Sequence, residues 1–327
     1  MLRCNENQIL SGRFRRVGAS GLLRATRISH KKTWPNILAM CLSAYASQSW
    51  AVNESPSSGT DRPADYHEAA AFAPSWRSLS LSYGSTRHHY REPDPLGRVD
   101  PLNSETGSIP TTQATLRWRG KLAQTLPEIA VQAQASYAQG QTDYNGYLQS
   151  GSTLTPYSAR TSNILRAYNL RVGLPLNAFT QQHWVQHIAL YAEKSWHHWQ
   201  RNLTQYGETF NWQTTSVGVI VLWPLADLGL TQFSRYTLEV DLSSGRTRNS
   251  HIDVPALGFA AELGNTSSRR AALALHYTAT PSWLIGLRYE EQRMSLGASP
   301  IVPGLQYPGS SSNEKSLAVS LDYHYHF

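Results

Sequence analysis

Beyond residue 75, apolar and polar residues alternate one for one in run after run, with Gly, Pro, Asn and Ser between the runs. Residues 78–83 read SLSLSY, with Leu79, Leu81 and Tyr83 alternating with three serines. Residues 236–243 set Tyr236, Leu238, Val240 and Leu242 against Thr237, Glu239, Asp241 and Ser243. The last run sets Leu317, Val319, Leu321, Tyr323, Tyr325 and Phe327 against Ser316, Ser320, Asp322, His324 and His326. Successive side chains of a strand point to opposite faces, so each run predicts a strand with one greasy and one polar face. Ten such runs occur, and no long segment of helical period interrupts them. The fold class predicted is all-β: a closed antiparallel transmembrane β-barrel of about ten strands, with short periplasmic turns and longer extracellular loops.

Closure follows from the solvent. In hydrocarbon every backbone N–H and C=O must pair internally, so no strand edge can be left open. A water-soluble sandwich produces the same alternation with its greasy face inward, so period alone does not choose between them. Full charges in mid-strand do. Arg117, Arg119, Lys121, Arg171, Glu193, Glu239, Asp241, Arg288, Glu290 and Asp322 all fall on the polar faces and are expected to line a lumen as ion pairs. Ten strands leave at most a narrow passage. Aromatics near run ends predict two girdles: Trp76, Trp184, Trp223, Trp283, Tyr323 and Tyr325 at one level, and Tyr90, Trp196, Trp199 and Trp212 at the other.

Charge divides the chain. Of its 29 Lys and Arg, eight lie in residues 1–51, with one of its 22 acids, so the rest carries 21 of each sign and is neutral. That removes the support for nucleic-acid binding, which needs a persistent basic face. Both cysteines, Cys4 and Cys41, lie in the same leader, which excludes a disulfide scaffold, thiolate metal sites and a Cys nucleophile from the remainder. A basic stretch at 27–34, an apolar core at 37–46 and small residues at Ser49 and Ala51 form a secretory signal pattern. The expected organisation is a leader at 1–51 cut near Ala51, a periplasmic N-terminal segment at 52–74, and a barrel at 75–327. The location expected is the outer membrane of a Gram-negative cell.

The final strand, SLAVSLDYHYHF, resembles the C-terminal signature of bacterial outer-membrane β-barrel proteins, with Tyr323, Tyr325 and Phe327 as its alternating aromatics. The resemblance implies recognition by the barrel insertion machinery and contact with outer-membrane lipid. Ten strands in a mature chain of this length, with the stretch YGETFNW at 206–212, also resemble the omptin-like barrels and the Protochlamydia outer membrane protein group. The omptin resemblance implies an Asp/His pair on one rim facing acidic residues across the mouth, with a water activated between them. His251 and Asp253, read as loop residues, supply half of that, and Asp143 stands on the opposite rim without an acidic partner.

Other chemistry is less marked. His88-His89 and His197-His198 are adjacent pairs, which a regular strand turns to opposite faces, so neither pair chelates one metal. There is no G-x-S-x-G signature to single out a nucleophile. The loop read at 93–110 carries Asp94, Asp100 and Glu105 without the spacing of an EF-hand. No cofactor is expected and no ligand can be named. The function expected is non-enzymatic: a structural, surface-interaction or narrow porin-like role. The alternative is an outer-membrane enzyme, an omptin-like protease or a lipid hydrolase.

Overall fold

A computed structural model describes residues 76–150, 153–176, 188–203, 206–301 and 306–326. The leader, its cleavage site near Ala51, the 52–74 segment, Trp184 and Phe327 lie outside the described residues. The strands are β1 (Trp76–Glu92), β2 (Asn103–Gly120), β3 (Ile129–Ser150), β4 (Thr153–Pro175), β5 (Ile188–Leu203), β6 (Tyr206–Pro224), β7 (Tyr236–Val254), β8 (Phe259–Leu263), β9 (Ser267–Thr280), β10 (Trp283–Leu296) and β11 (Ser310–His326). Each pairs antiparallel with the next in the order β6-β5-β4-β3-β2-β1-β11-β10-β9-β7, and β6 pairs with β7 to close the cylinder. The short β8 pairs with the far end of β7, and β9 pairs with its near end. Strands β8 and β9 are therefore one interrupted wall strand, and the barrel has ten positions. The interruption faces a local twist in β7, where Asn249 adopts a positive φ of 49°.

Several strands run further than the pattern placed them. β2 starts at Asn103, inside the stretch read as the first loop, and β7 continues through His251 and Asp253 to Val254. At the end of the barrel away from Trp76 and His326, the first and last described residues, here the distal end, β3 meets β4 at Ser150↔Thr153 and β5 meets β6 at Leu203↔Tyr206. Turn residues such as Gly, Asn and Ser had marked these as loops. Ladder pairing with both neighbours overrides that preference.

The wall has two zones of opposite polarity. In the zone nearer the termini the exposed face is apolar: Leu81, Val172, Leu190, Val217, Leu242, Leu273, Leu287 and Val319 are all about half exposed. The apolar belt from Leu317 to Tyr325 in β11 spans about 27 Å along the strand, or about 21 Å at a tilt of ~40°. Tyr83, Tyr168, Trp196 and Tyr289 face outward at the belt's distal edge, and Trp283 and Tyr325 at its terminal edge. Beyond the distal edge the outward positions turn polar, with Arg87, Ser108, Arg166, Arg246, Arg248 and Lys315 exposed.

There the inside becomes greasy. Tyr90, Trp199, Phe210, Trp212, Ile252, Val254, Phe259, Met294, Leu296 and Tyr307 form a buried cluster within the distal half. This corrects the upper girdle read from sequence: only Trp196 faces out, whereas Tyr90, Trp199 and Trp212 lie on the inward face and fill this core. The chain is thus a membrane-type barrel below and an ordinary water-soluble barrel above, built from the same strands.

Candidate functional site

Within the belt zone, charged side chains converge across the lumen. Arg171 on β4 meets Glu193 at 2.8 Å and Asp241 on β7 at 3.2 Å. Arg270 on β9 adds contacts to Glu193 at 3.1 Å and to Asp241 at 3.5 Å. Arg288 reaches Glu239 at 2.6 Å, Asp241 at 3.2 Å and Glu290 at 3.0 Å, while His276 lies 3.2 Å from Glu239. Tyr191 donates its hydroxyl proton to Asp241 at 2.5 Å, and the Arg171 guanidinium lies 4.0 Å over its ring. Gly218 makes room for that tyrosine, since a Cβ there would come within 2.4 Å of the ring. Nearer the termini Arg117 faces Asp322 at 3.4 Å, and Arg119 binds Glu128 of the following turn at 2.6 Å. Lys121 has left the strand and is exposed in that turn, so it is not part of this interior. Arg270 and Tyr191 were missed by the sequence reading. Their parity with Ala272, Ala274 and Glu193 was the available signal.

Two small cavities flank the network. One of about 160 Å³ is lined by Arg117, Gln132, Glu239, His276 and Asp322. The other, of about 140 Å³, lies on the distal side among His88, His197, Gln292 and Glu314. Each has room for a few waters only. In the second, His88 Nδ1 is 3.2 Å from Glu314, and His197 stacks on Trp212 at 4.8 Å with its Nε2 2.8 Å from Ser195 Oγ. The Ser–His contact lacks a third member, because Glu314 is engaged by His88 and no acid bonds His197 among the described residues. Nor does any group of three His, Cys, Asp or Glu able to hold a metal occur among the described residues.

Above this, Arg201 lies buried in the barrel interior. It is 1% exposed and contacts Glu105 at 2.6 Å, Glu208 at 2.7 Å and Glu92 at 3.6 Å. Its guanidinium also lies 4.8 Å over the Tyr90 ring. Asn163 donates to Glu105 at 2.6 Å, Thr142 also donates to it, and Trp199 donates to Asn163 at 2.7 Å. Tyr90 bonds Glu92 at 2.6 Å and Tyr307 at 2.8 Å. Burial pushes the Glu105 carboxyl up, but Arg201 and the hydrogen bonds from Thr142 and Asn163 outweigh it and hold its pKa below the ordinary carboxylate range. A lowered folded pKa means that Glu105 stabilises the plug fully above about pH 4.5 and loses that contribution as pH falls through the lowered value. Trp199 fluorescence followed during acid titration should therefore report loosening in wild type, and Glu105→Gln should flatten that response.

The loop acids are held by arginines. Asp94 is clasped by Arg98 at 2.9 Å, and Asp100 pairs with Arg91 at 2.5 Å. Hydrogen bonds from Arg98 outweigh burial and lower the Asp94 pKa to about 2. Glu105, read as a loop acid, is instead fully buried in the Arg201 plug.

The rim candidates do not converge. His251 and Asp253 flank Ile252, which is 1% exposed and points inward, so both side chains point outward from β7. His251 Nδ1 lies 3.4 Å from Glu262 of β8. Asp143 points outward from β3 on the far side of the cylinder, 3.8 Å from Arg160, and both side chains are about three-quarters exposed. An Asp/His pair and an acid directed away from each other across a barrel cannot share a water. At the terminal end Tyr323 packs on Trp283 at 4.8 Å, and Tyr325 faces outward, 42% exposed.

No family model and no curated protein matches the sequence. Solved structures similar to the barrel include the outer membrane protease OmpT from Escherichia coli, at 11% identity, covering 79% of this chain and 100% of that one, TM-score 0.44. The translocator domain of autotransporter NalP from Neisseria meningitidis is similar at 12% identity, covering 79% and 91%, TM-score 0.38. The transport unit of autotransporter AIDA-I from Escherichia coli is similar at 10% identity, covering 82% and 93%, TM-score 0.38.

Proposed function

We propose that this protein is a non-conducting, non-enzymatic barrel of the Gram-negative outer membrane that carries a rigid β-sheet knob above the bilayer. In this reading the signal peptide is removed near Ala51, the termini are periplasmic and the distal end is extracellular. The C-terminal aromatics Tyr323, Tyr325 and Phe327 serve recognition by the insertion machinery. The observation that carries the reading is the change of polarity along the wall. The outward surface turns from apolar to charged beyond the belt, and over the same stretch the interior gains an aromatic cluster packed around the Arg201 ion pairs. A porin gains nothing from a greasy plug under its mouth, whereas a surface-displayed domain needs one to hold its shape. The outward, separated positions of His251, Asp253 and Asp143 weigh against protease action.

The test is electrical. Purified mature protein inserted in a planar bilayer is expected to leave the conductance at the level of the bare membrane. Sustained unitary current steps would show an open path past Arg201 and overturn the non-conducting reading.

A further inference from the structure

The connection from β6 to β7, at the end of the barrel near Trp76 and His326, carries its apolar side chains on the outside. Residues 225–235 read LADLGLTQFSR and fold into two short 3₁₀ turns, Leu225–Leu228 and Thr231–Phe233, which bury none of their residues. Leu228, Leu230 and Phe233 are 53%, 40% and 43% exposed. A patch of large apolar side chains with no cover marks a surface that meets something other than water.

The backbone of this connection is suited to a drier place. Gly229 N–H donates to Ala226 O at 3.0 Å, Leu230 N–H to Leu225 O at 3.1 Å, and Phe233 N–H to Leu230 O at 2.9 Å. Gly229 turns the chain at a φ of 82°, a conformation that favours glycine. Thr278 N–H of β9 ties the far end down at Arg235 O, 2.9 Å away. Backbone groups already bonded within a segment cost little to take out of water, whereas free ones cost far more.

Rings and strand lengths say which surface it meets. Phe233 packs edge-on against Tyr236 at 5.8 Å, and Tyr236 lies 5.1 Å from Tyr277. These two tyrosines share the parity of Leu242 and Leu275, which are exposed on the outer wall, so Phe233 extends the lipid-facing surface. The belt is also short here. On β7 the outward apolar run is Tyr236 to Leu242, bounded by Ser244, and on β6 it is Val217 to Trp223, bounded by Thr215. Each covers about 20 Å along its strand, against about 27 Å for Leu317–Tyr325 in β11. A bilayer has one thickness around the cylinder, and the β6–β7 connection stands where the missing length would be.

We propose that residues 225–235 form an amphipathic foot in the phospholipid interface of the inner leaflet. Leu228, Leu230 and Phe233 enter the acyl boundary, and Thr231, Gln232 and Arg235 stay among the headgroups. The foot completes the belt on this side and fixes the depth of the barrel. The proposal rests on the outer-membrane reading above, because it needs the belt in a bilayer.

Residues 52–327 contain no cysteine, so single cysteines can be placed and nitroxide-labelled. The mature chain, labelled at Leu230→Cys, Gln232→Cys, Ile285→Cys or Ser108→Cys, is reconstituted in phosphatidylethanolamine–phosphatidylglycerol vesicles. Spin relaxation by a water-soluble nickel chelate is then measured. The Ile285 label reports insertion, and the Ser108 label is the aqueous reference. The chelate is expected to reach the Leu230 label about tenfold less than the Ser108 label, a difference of about 1.4 kcal/mol in its partition. The Gln232 label should be nearly as accessible as the reference. With the label at Leu228→Cys, Leu230→Asp with Phe233→Asp should restore full accessibility. A label still shielded in that variant would be seating itself, and would overturn the foot. Shielding of Leu230 only in native outer-membrane fragments, and not in vesicles, would assign the patch to a protein and overturn the lipid assignment. An accessible Leu230 beside a shielded Ile285 overturns the foot alone, whereas an accessible Ile285 overturns the membrane reading with it.

Discussion

Arg201→Met is expected to lower the stability of the distal half by about 3–5 kcal/mol, because it removes a cation that contacts three buried or half-buried carboxylates. Glu105 would keep its hydrogen bonds from Thr142 and Asn163 but lose its ion-pair partner. Methionine matches the length of the lost stem and tests the charge more than the volume. Arg201→Lys keeps the charge but cannot present a fork to Glu105 and Glu208 together, so an intermediate loss is expected. Adding Glu105→Gln to Arg201→Met should restore part of the stability, since it removes one of the stranded charges. Urea unfolding of micelle-bound protein, read through Trp199 fluorescence, measures each step. If Arg201→Met unfolds at the wild-type urea midpoint, the plug is ornamental and the knob is held by its apolar cluster alone.

The second large effect concerns the belt. Ile285 faces outward, pairs with Leu321 at the middle of the Leu317–Tyr325 belt and is 45% exposed. Ile285→Arg should cost about 2–4 kcal/mol of folding stability in a bilayer, the range for arginine near the midplane. Ser108 also faces outward, but above the distal edge. Ser108→Arg should cost about 0–1 kcal/mol. Both substitutions place the same charge on the same kind of exposed strand surface, so their difference reads the position of the membrane boundary. Reversible folding into phospholipid vesicles at increasing urea gives both values. Equal costs at the two sites would remove the boundary and, with it, the two-zone description of the wall.

The polarity reversal shows where pattern reading stops. In β1 the outward apolar parity runs through Leu79, Leu81 and Tyr83, and then Tyr90 appears on the opposite parity. The same switch occurs at Trp199, Phe210 and Met294, each visible as a change of phase within its own run. Ile252 keeps the parity of Leu242 and turns inward only because β7 shifts at Asn249. An aromatic near a strand end fits a membrane girdle as well as it fits a core, and only the inward direction of Tyr90 and Trp199 in the closed cylinder separates the two. Glu105 illustrates the complementary error. Its Pro-, Gly- and Ser-rich surroundings read as a loop, yet pairing with β1 and β3 draws residues 103–110 into the sheet and turns Glu105 toward Arg201.

The sequence alone determined the strand count, the antiparallel closure and the two faces of each strand, because alternation is a local property of an extended backbone and needs no knowledge of distant partners. Tertiary structure alone decided which inward charges meet. Arg171 bonds Asp241 from 70 residues away and Arg201 bonds Glu105 from 96. Those distances are set by the register and tilt with which the sheet closes, and no single strand carries that information. The same closure turned His251, Asp253 and Asp143 away from one another, since neighbours on a cylinder are neighbours in register and not in the chain.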